Sequence, residues 1–142
     1  MEQNQLLGTW KLISWVNHNA NGIVTFPFGE DAQGRIIYST QGYMSVCLTT
    51  KNQSHFESDD LFCGSLEEKR NAAESFVFYC GTYEIDGNHV VHHIELSSFA
   101  NWSGTDLKRL YVVKEDRLIL QTSPQLMNGT AQTAELKWER IL

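Results

Sequence analysis

Runs of β-branched and aromatic residues alternate with short turn signals along most of this chain. Period-2 alternation within the runs, broken by pairs such as Asn21-Gly22 and Gln41-Gly42, is typical of antiparallel strands joined by tight turns. Nine strands are predicted, over residues 9–17, 23–26, 35–40, 43–50, 81–86, 89–97, 106–114, 117–122 and 132–141.

Residues 65–78 depart from this pattern and predict one helix. Ser65-Leu-Glu-Glu68 has the form of a capping box, and Gly81 is placed to end the helical stretch. The long polar segment 51–64 before it is expected to be a lid or a binding loop. Four apolar residues at near-helical spacing are expected to pack on the sheet or across an open barrel end: Leu66, Ala73, Phe76 and Val77.

Eight or nine antiparallel strands in meander order leave unpaired edges unless the sheet closes on itself. The predicted fold is therefore an all-β antiparallel barrel of 8–10 strands with one short α-helix, in a single domain over residues 1–142. A barrel of this size encloses side chains or one small ligand. A two-sheet sandwich with a solid core is the alternative.

Charge and composition limit the classes of partner that the protein is expected to bind. Lys and Arg number 11 and Asp and Glu 17, and no basic cluster carries interleaved aromatics, so a nucleic-acid partner is not expected. Apolar runs such as 76–80 are far shorter than the roughly 20 residues of a membrane span. Residues 1–5 lack the features of a signal peptide, and three cysteines without C-x-x-C spacing fit reduced thiols. We therefore expect a cytoplasmic protein without a membrane partner.

The segment Leu7-Gly-Thr-Trp-Lys-Leu12 carries a G-x-W signature near the start of the first strand. It resembles the signature of lipocalins and fatty-acid-binding proteins, in which the Trp closes one barrel end. In lipocalins an Arg from a late strand stacks on this Trp, which implies a structural cation–π pair between Trp10 and Arg140. Fatty-acid-binding proteins have a helix pair after the first strand, whereas here Asn21-Gly22 leads into another strand.

Longer strings in order along nearly the whole chain resemble the bacterial and fungal lipocalin-like domain family of small stand-alone proteins. These strings are FPFGED at 26–31, IYSTQGYMS at 37–45, YCGTYE at 79–84, VHHIE at 91–95 and NWSGT at 101–105. The resemblance implies a lipocalin-like (calycin) barrel with a cavity more firmly than it implies a reaction.

Alternation assigns the inner faces of the strands. Strand 89–97 is expected to point Val90, His92, Ile94 and Leu96 inward, where His92 is either a hydrogen-bonded core residue or a ligand contact or general base. Strand 81–86 points Tyr83 inward. In strand 106–114 both faces are mixed, and we place Arg109 and Tyr111 inside because two lysines occupy the other face.

An inward Arg109 predicts pairing with a ligand carboxylate or with a structural acidic residue. Trp102 lies on a connection between strands and is expected at the cavity mouth, while Tyr38 and Trp138 are weaker candidates. Such a set would favour a planar or hydrophobic ligand with a few polar or acidic groups. The predicted ligand-binding residues are Tyr38, Tyr83, His92, Trp102, Arg109, Tyr111 and Trp138.

Three functions are compatible with this pattern. The first is a carrier that binds or sequesters a small hydrophobic molecule. The second is a cofactor-independent acid–base enzyme, an isomerase, cyclase or dehydratase, with His92 as acid or base and Tyr83 or Arg109 polarising a carbonyl. The third is a solid barrel that binds proteins through an outer strand. A monomer and a homodimer both stay open.

No cofactor or metal is expected. Nucleotide-binding and hydrolase motifs are missing from the sequence. On a strand, His89 and His93 would be about 13 Å apart and His92 would face away from both, so one metal ion cannot join them. His93 and Glu95 share a face but would need a third ligand from elsewhere.

Overall fold

The computed structural model of the protein describes residues 4–141. The elements are β1 Gly8–Asn19, β2 Val24–Thr25, β3 Gln33–Tyr38, β4 Tyr43–Thr49, α1 Leu66–Glu74, β5 Phe76–Asp86, β6 His89–Ser97, a 3₁₀ turn at Ala100–Trp102, β7 Asp106–Lys114, β8 Arg117–Thr122, β9 Gln125–Met127 and β10 Thr130–Arg140. No helix in this part of the chain is long and apolar enough to cross a membrane.

Eight of the strands form a closed antiparallel barrel. Their order is β1-β3-β4-β5-β6-β7-β8-β10, and β10 pairs back with β1 along most of its length. The short strands β2 and β9 extend the sheet beside β1 and β10. The predicted all-β barrel with one short helix is confirmed, and closure removes the free edges that a flat sheet would expose.

Trp10 closes one end of the barrel. Its ring is fully buried, and its Nε1 donates to the backbone oxygen of Leu6 at 2.9 Å. The Arg140 guanidinium lies over this ring, with Cζ 4.1 Å from the ring centroid. Arg140 also donates to the carbonyls of Gln5 and Leu7, so it ties the N-terminal segment to the last strand. The cation–π pair predicted from the resemblance is confirmed.

The helix ends earlier than the sequence predicts. The structure has the capping box at Ser65, but the aromatic run from Phe76 pairs with β4 and starts β5 instead of extending the helix. No residue of α1 is buried, and Leu66 is 88% exposed, so the predicted apolar helix face is wrong. Val77 does face the interior, but as a strand residue.

Bulges decide which residues point inward. In β6, Ile94 pairs with Gly81 and Leu96 pairs with Cys80, so Glu95 is an extra residue. The bulge reverses the alternation beyond it. Val90, His92 and Ile94 are buried as predicted, whereas Leu96 is 63% exposed, which corrects its inward assignment.

Candidate ligand-binding cavity

A cavity of about 100 Å³ lies inside the barrel, away from the Trp10 end. Aromatic and aliphatic side chains make up most of its wall, with a few polar groups among them. Its lining comprises Trp15, Asn17, Ile36, Val46, Leu48, Val77, Tyr79, Trp102, Arg109, Leu120, Thr122, Gln125, Met127, Gln132, Ala134, Leu136 and Trp138. An apolar concavity with a few convergent polar groups is the usual form of a small-molecule site.

A second depression of about 540 Å³ lies between residues 50–56 and α1. It is lined mainly by exposed polar side chains, and Glu68 of the helix accepts from the backbone N–H of Glu57 at 2.8 Å. The loop that the sequence predicts as a lid therefore binds to α1. None of residues 51–64 lines the barrel cavity.

Arg109 projects from β7 into the barrel, as predicted, and is 8% exposed. It lines the cavity, and none of the ion pairs found within residues 4–141 includes it. Because a guanidinium stays charged in proteins, the barrel carries a nearly buried cation without a carboxylate against it. The predicted alternative of a structural acidic partner is thus not what the described residues show.

His92 lies fully buried between two tyrosines. Its Nε2 is 2.7 Å from the Tyr38 hydroxyl, and its Nδ1 is 2.8 Å from the Tyr79 hydroxyl. Burial, followed by the nearby charge of Arg109, lowers the pKa of His92 to about 3. The imidazole is therefore neutral at physiological pH, and both of its nitrogens are already hydrogen-bonded.

Burial also raises the pKa of both tyrosine hydroxyls, while the charge of Arg109 acts to lower each. Both hydroxyls consequently stay protonated at neutral pH. Of these three hydrogen-bonded residues, only Tyr79 lines the cavity, because Tyr38 and His92 lie behind it.

The predicted site residues therefore separate into two groups. Trp102, Arg109 and Trp138 line the cavity, whereas Tyr38, Tyr83, His92 and Tyr111 do not. The Tyr83 hydroxyl donates to the backbone oxygen of Ser39 at 2.8 Å and accepts from Asn4, and Tyr111 packs on the core while still partly exposed. The roles of all seven residues in binding stay predictions.

Most of the cavity wall was not among the predicted site residues, and Trp15, Asn17 and Tyr79 are examples. The β1 register shifts at Ile13, so strict alternation from Trp10 would have put Ser14 and Val16 inside instead. Tyr79 fell between the predicted helix, which ends at residue 78, and the predicted strand, which begins at residue 81. Its even spacing from Tyr83, two steps of two residues along β5, was the signal that could have placed it inside.

Polar side chains form a network where β1 meets the β9–β10 hairpin. Trp15 Nε1 donates to Asn17 Oδ1 at 2.8 Å, and Asn17 Nδ2 lies 3.0 Å from Gln132 Oε1 and 3.1 Å from the sulfur of Met127. Asn17 is almost fully buried, whereas Gln132 and Met127 are partly exposed. A small number of hydrogen bonds, two of them to partly exposed residues, therefore links β1 to the β9–β10 hairpin at the mouth of the cavity.

Comparison with known proteins agrees with this architecture. The family described as lipocalin-like domain matches residues 7–141. The chain belongs to this family. It is also 27% identical over 107 residues to the 4'-hydroxy-3'-methoxypropiophenone carrier protein ppsC of Aspergillus oryzae. That match covers 69% of this chain and 96% of the relative. Membership confirms the family resemblance of the sequence motifs, and a barrel of this family with a carrier relative supports ligand binding in general.

Proposed function

We propose that this lipocalin-like protein carries or sequesters a small hydrophobic or aromatic molecule that bears polar or acidic groups. The observation that carries the proposal is the apolar cavity with Arg109 in its wall, together with the lack of an ion pair to Arg109 within residues 4–141. A ligand oxygen would supply the missing partner, and the surrounding Trp and Leu side chains would cover the ring.

The size of the cavity limits the ligand to about one ring. An apolar cavity of about 150 Å³ holds benzene, and this cavity measures about 100 Å³. A substituted ring therefore enters only if side chains at the mouth shift. Met127 and Gln132 suit this role because Met is flexible and the hydrogen bonds of Gln132 exchange readily with water.

The named ligand of the fungal relative has this chemistry, since its name describes one aromatic ring with a hydroxyl, a methoxy group and a ketone. It serves here as a probe.

The acid–base alternative has no observation in its favour. Of its three proposed residues only Arg109 lines the cavity, and both nitrogens of His92 are occupied by tyrosines. A cytoplasmic location, the lack of a nucleic-acid or membrane partner and the choice between monomer and homodimer stay predictions.

Blocking the cavity tests the proposal. Ala134 lines the cavity on β10, whereas Ala131 on the same strand is exposed, so Ala134→Phe and Ala131→Phe form a matched pair. Quenching of tryptophan fluorescence by 4'-hydroxy-3'-methoxypropiophenone should saturate at one molecule per chain in the wild type and in Ala131→Phe. Ala134→Phe should weaken binding about tenfold or more, because the added ring fills the site. Equal affinity in the two variants would place the probe elsewhere and contradict the proposal.

A further inference from the structure

The two hydrogen bonds of His92 must have opposite donor and acceptor directions. A neutral imidazole has one N–H donor and one acceptor nitrogen, so one tyrosine must donate to it and the other must accept from it. Tyr38, Tyr79 and His92 are 1%, 6% and 0% exposed, which leaves no bulk water to complete the set.

Tyr38 decides between the two tautomers. Within the described residues its hydroxyl has one hydrogen-bond partner, His92 Nε2. If Nε2 carried the proton, the Tyr38 oxygen would accept it, and the Tyr38 O–H would stay buried without an acceptor. A buried unsatisfied donor is costly. Nε2 is therefore the acceptor of the Tyr38 proton, and Nδ1–H donates to the oxygen of Tyr79.

This direction leaves the O–H of Tyr79 unused. Tyr79 lines the cavity, and no hydrogen bond from its hydroxyl to another described residue is found. The Arg109 guanidinium lies beside this hydroxyl, where its hydrogen bond to the Tyr79 oxygen acts to lower the pKa of Tyr79. Nε1 of Trp138, on the same wall, is buried and has no partner among the described residues. A Tyr79 O–H without an acceptor, a neighbouring guanidinium without a carboxylate within residues 4–141 and an unpartnered indole N–H point to a ligand that brings oxygens.

We propose that the Tyr79 hydroxyl and the Arg109 guanidinium bind an ionised oxygen of the ligand, a carboxylate or a phenolate on a single aromatic ring, and that Tyr38 and His92 position Tyr79 as a donor. This inference rests on the proposed function and specifies its ligand class. Trp138 Nε1 offers a third donor for a second ligand oxygen. Tyr38 and His92 are positioning residues, because they act only through Tyr79.

The tautomer can be observed without any ligand or variant. Long-range ¹H–¹⁵N correlation spectra of the histidine ring separate a protonated nitrogen from a bare one. We expect His92 to carry its proton on Nδ1 at neutral pH. A proton on Nε2 would turn the Tyr79 O–H toward His92 and overturn the proposal.

Two fluorinated probes test the donors themselves: 4-fluorobenzoate, which is ionised at neutral pH, and 4-fluorotoluene, which carries no oxygen. Binding is followed by ¹⁹F NMR. Tyr79→Phe should weaken 4-fluorobenzoate about 10- to 100-fold, the range for a hydrogen bond to a charged group. Binding of 4-fluorotoluene should change less than about twofold, since its interaction is with the apolar wall. Arg109→Met should show the same selectivity, and the exposed Tyr43→Phe should alter neither probe.

The outcomes separate this inference from the proposed function. If both probes bind the wild type and Tyr79→Phe leaves 4-fluorobenzoate unchanged, the donor site is refuted while cavity binding stands. Failure of both probes to bind the wild type contradicts cavity binding, and the inference falls with it. Retained 4-fluorotoluene binding also verifies that Tyr79→Phe keeps a folded, open cavity.

Discussion

At the scale of single residues, Gly81 illustrates how a backbone contact selects an amino acid. A Cβ at this position would lie 1.9 Å from the carbonyl oxygen of His93, beside the β6 bulge. We predict that Gly81→Ala lowers the free energy of unfolding by about 3 kcal/mol, because backbone must move to admit the methyl group.

Urea denaturation measures this change. The control is Gly87→Asn, at a turn where a Cβ meets nothing within 4 Å and where Asn tolerates the positive φ of 63°. It should cost less than about 1 kcal/mol. Similar losses in the two variants would show that close packing at the bulge is not the cause.

His92 gives a pH dependence with a definite sign. Its pKa is about 3 in the folded protein against 6.5 for a free histidine, so the folded state binds fewer protons between these values. Acidification from about pH 7.5 to 5 should therefore lower the contribution of His92 to the free energy of unfolding by about 2 kcal/mol, and this contribution is constant above about pH 7.5. The raised pKa of His93 acts in the opposite direction. Urea midpoints measure the loss. An NMR titration of the His92 ring near pH 6.5 would contradict it.

At the scale of elements, α1 contributes little to the core. It buries no residue, and Leu66 is 88% exposed, whereas Leu118 on β8 is fully buried. We predict that Leu66→Ala changes the free energy of unfolding by less than about 0.5 kcal/mol. Leu118→Ala should cost about 2–5 kcal/mol. A large effect of Leu66→Ala in urea denaturation would mean that α1 is part of the folding core.

Strand positions could be predicted because alternation and turn residues are local signals. Val90 and Ile94 face inward as their spacing indicates, and the inward position of Arg109 follows from the cost of burying the two lysines on the opposite face. Two effects could not be predicted. The pairing of Phe76 with β4 is a long-range interaction that overrides helix propensity, and the bulges at Ile13 and Glu95 leave no local sequence mark.

At the scale of the whole molecule, closure explains both the stability of the fold and the location of the cavity. The first and last barrel strands pair, and Trp10 and Arg140 fill the barrel end at which β1 begins and β10 ends. The interior that remains lies toward the β9–β10 hairpin. The sequence predicted a barrel with an interior and three of the residues that line its cavity. Which other residues line the cavity, and which lie behind them, depends on the register of the paired strands.

The central claim is that the cavity binds an aromatic molecule by its ionised oxygen. A crystal structure of the protein with 4-fluorobenzoate tests this most directly. We predict the ring between Trp15, Trp102 and Trp138, with a carboxylate oxygen within hydrogen-bonding distance of the Tyr79 hydroxyl and the Arg109 guanidinium. A carboxylate directed away from these groups, or a probe bound outside the barrel, would contradict the claim.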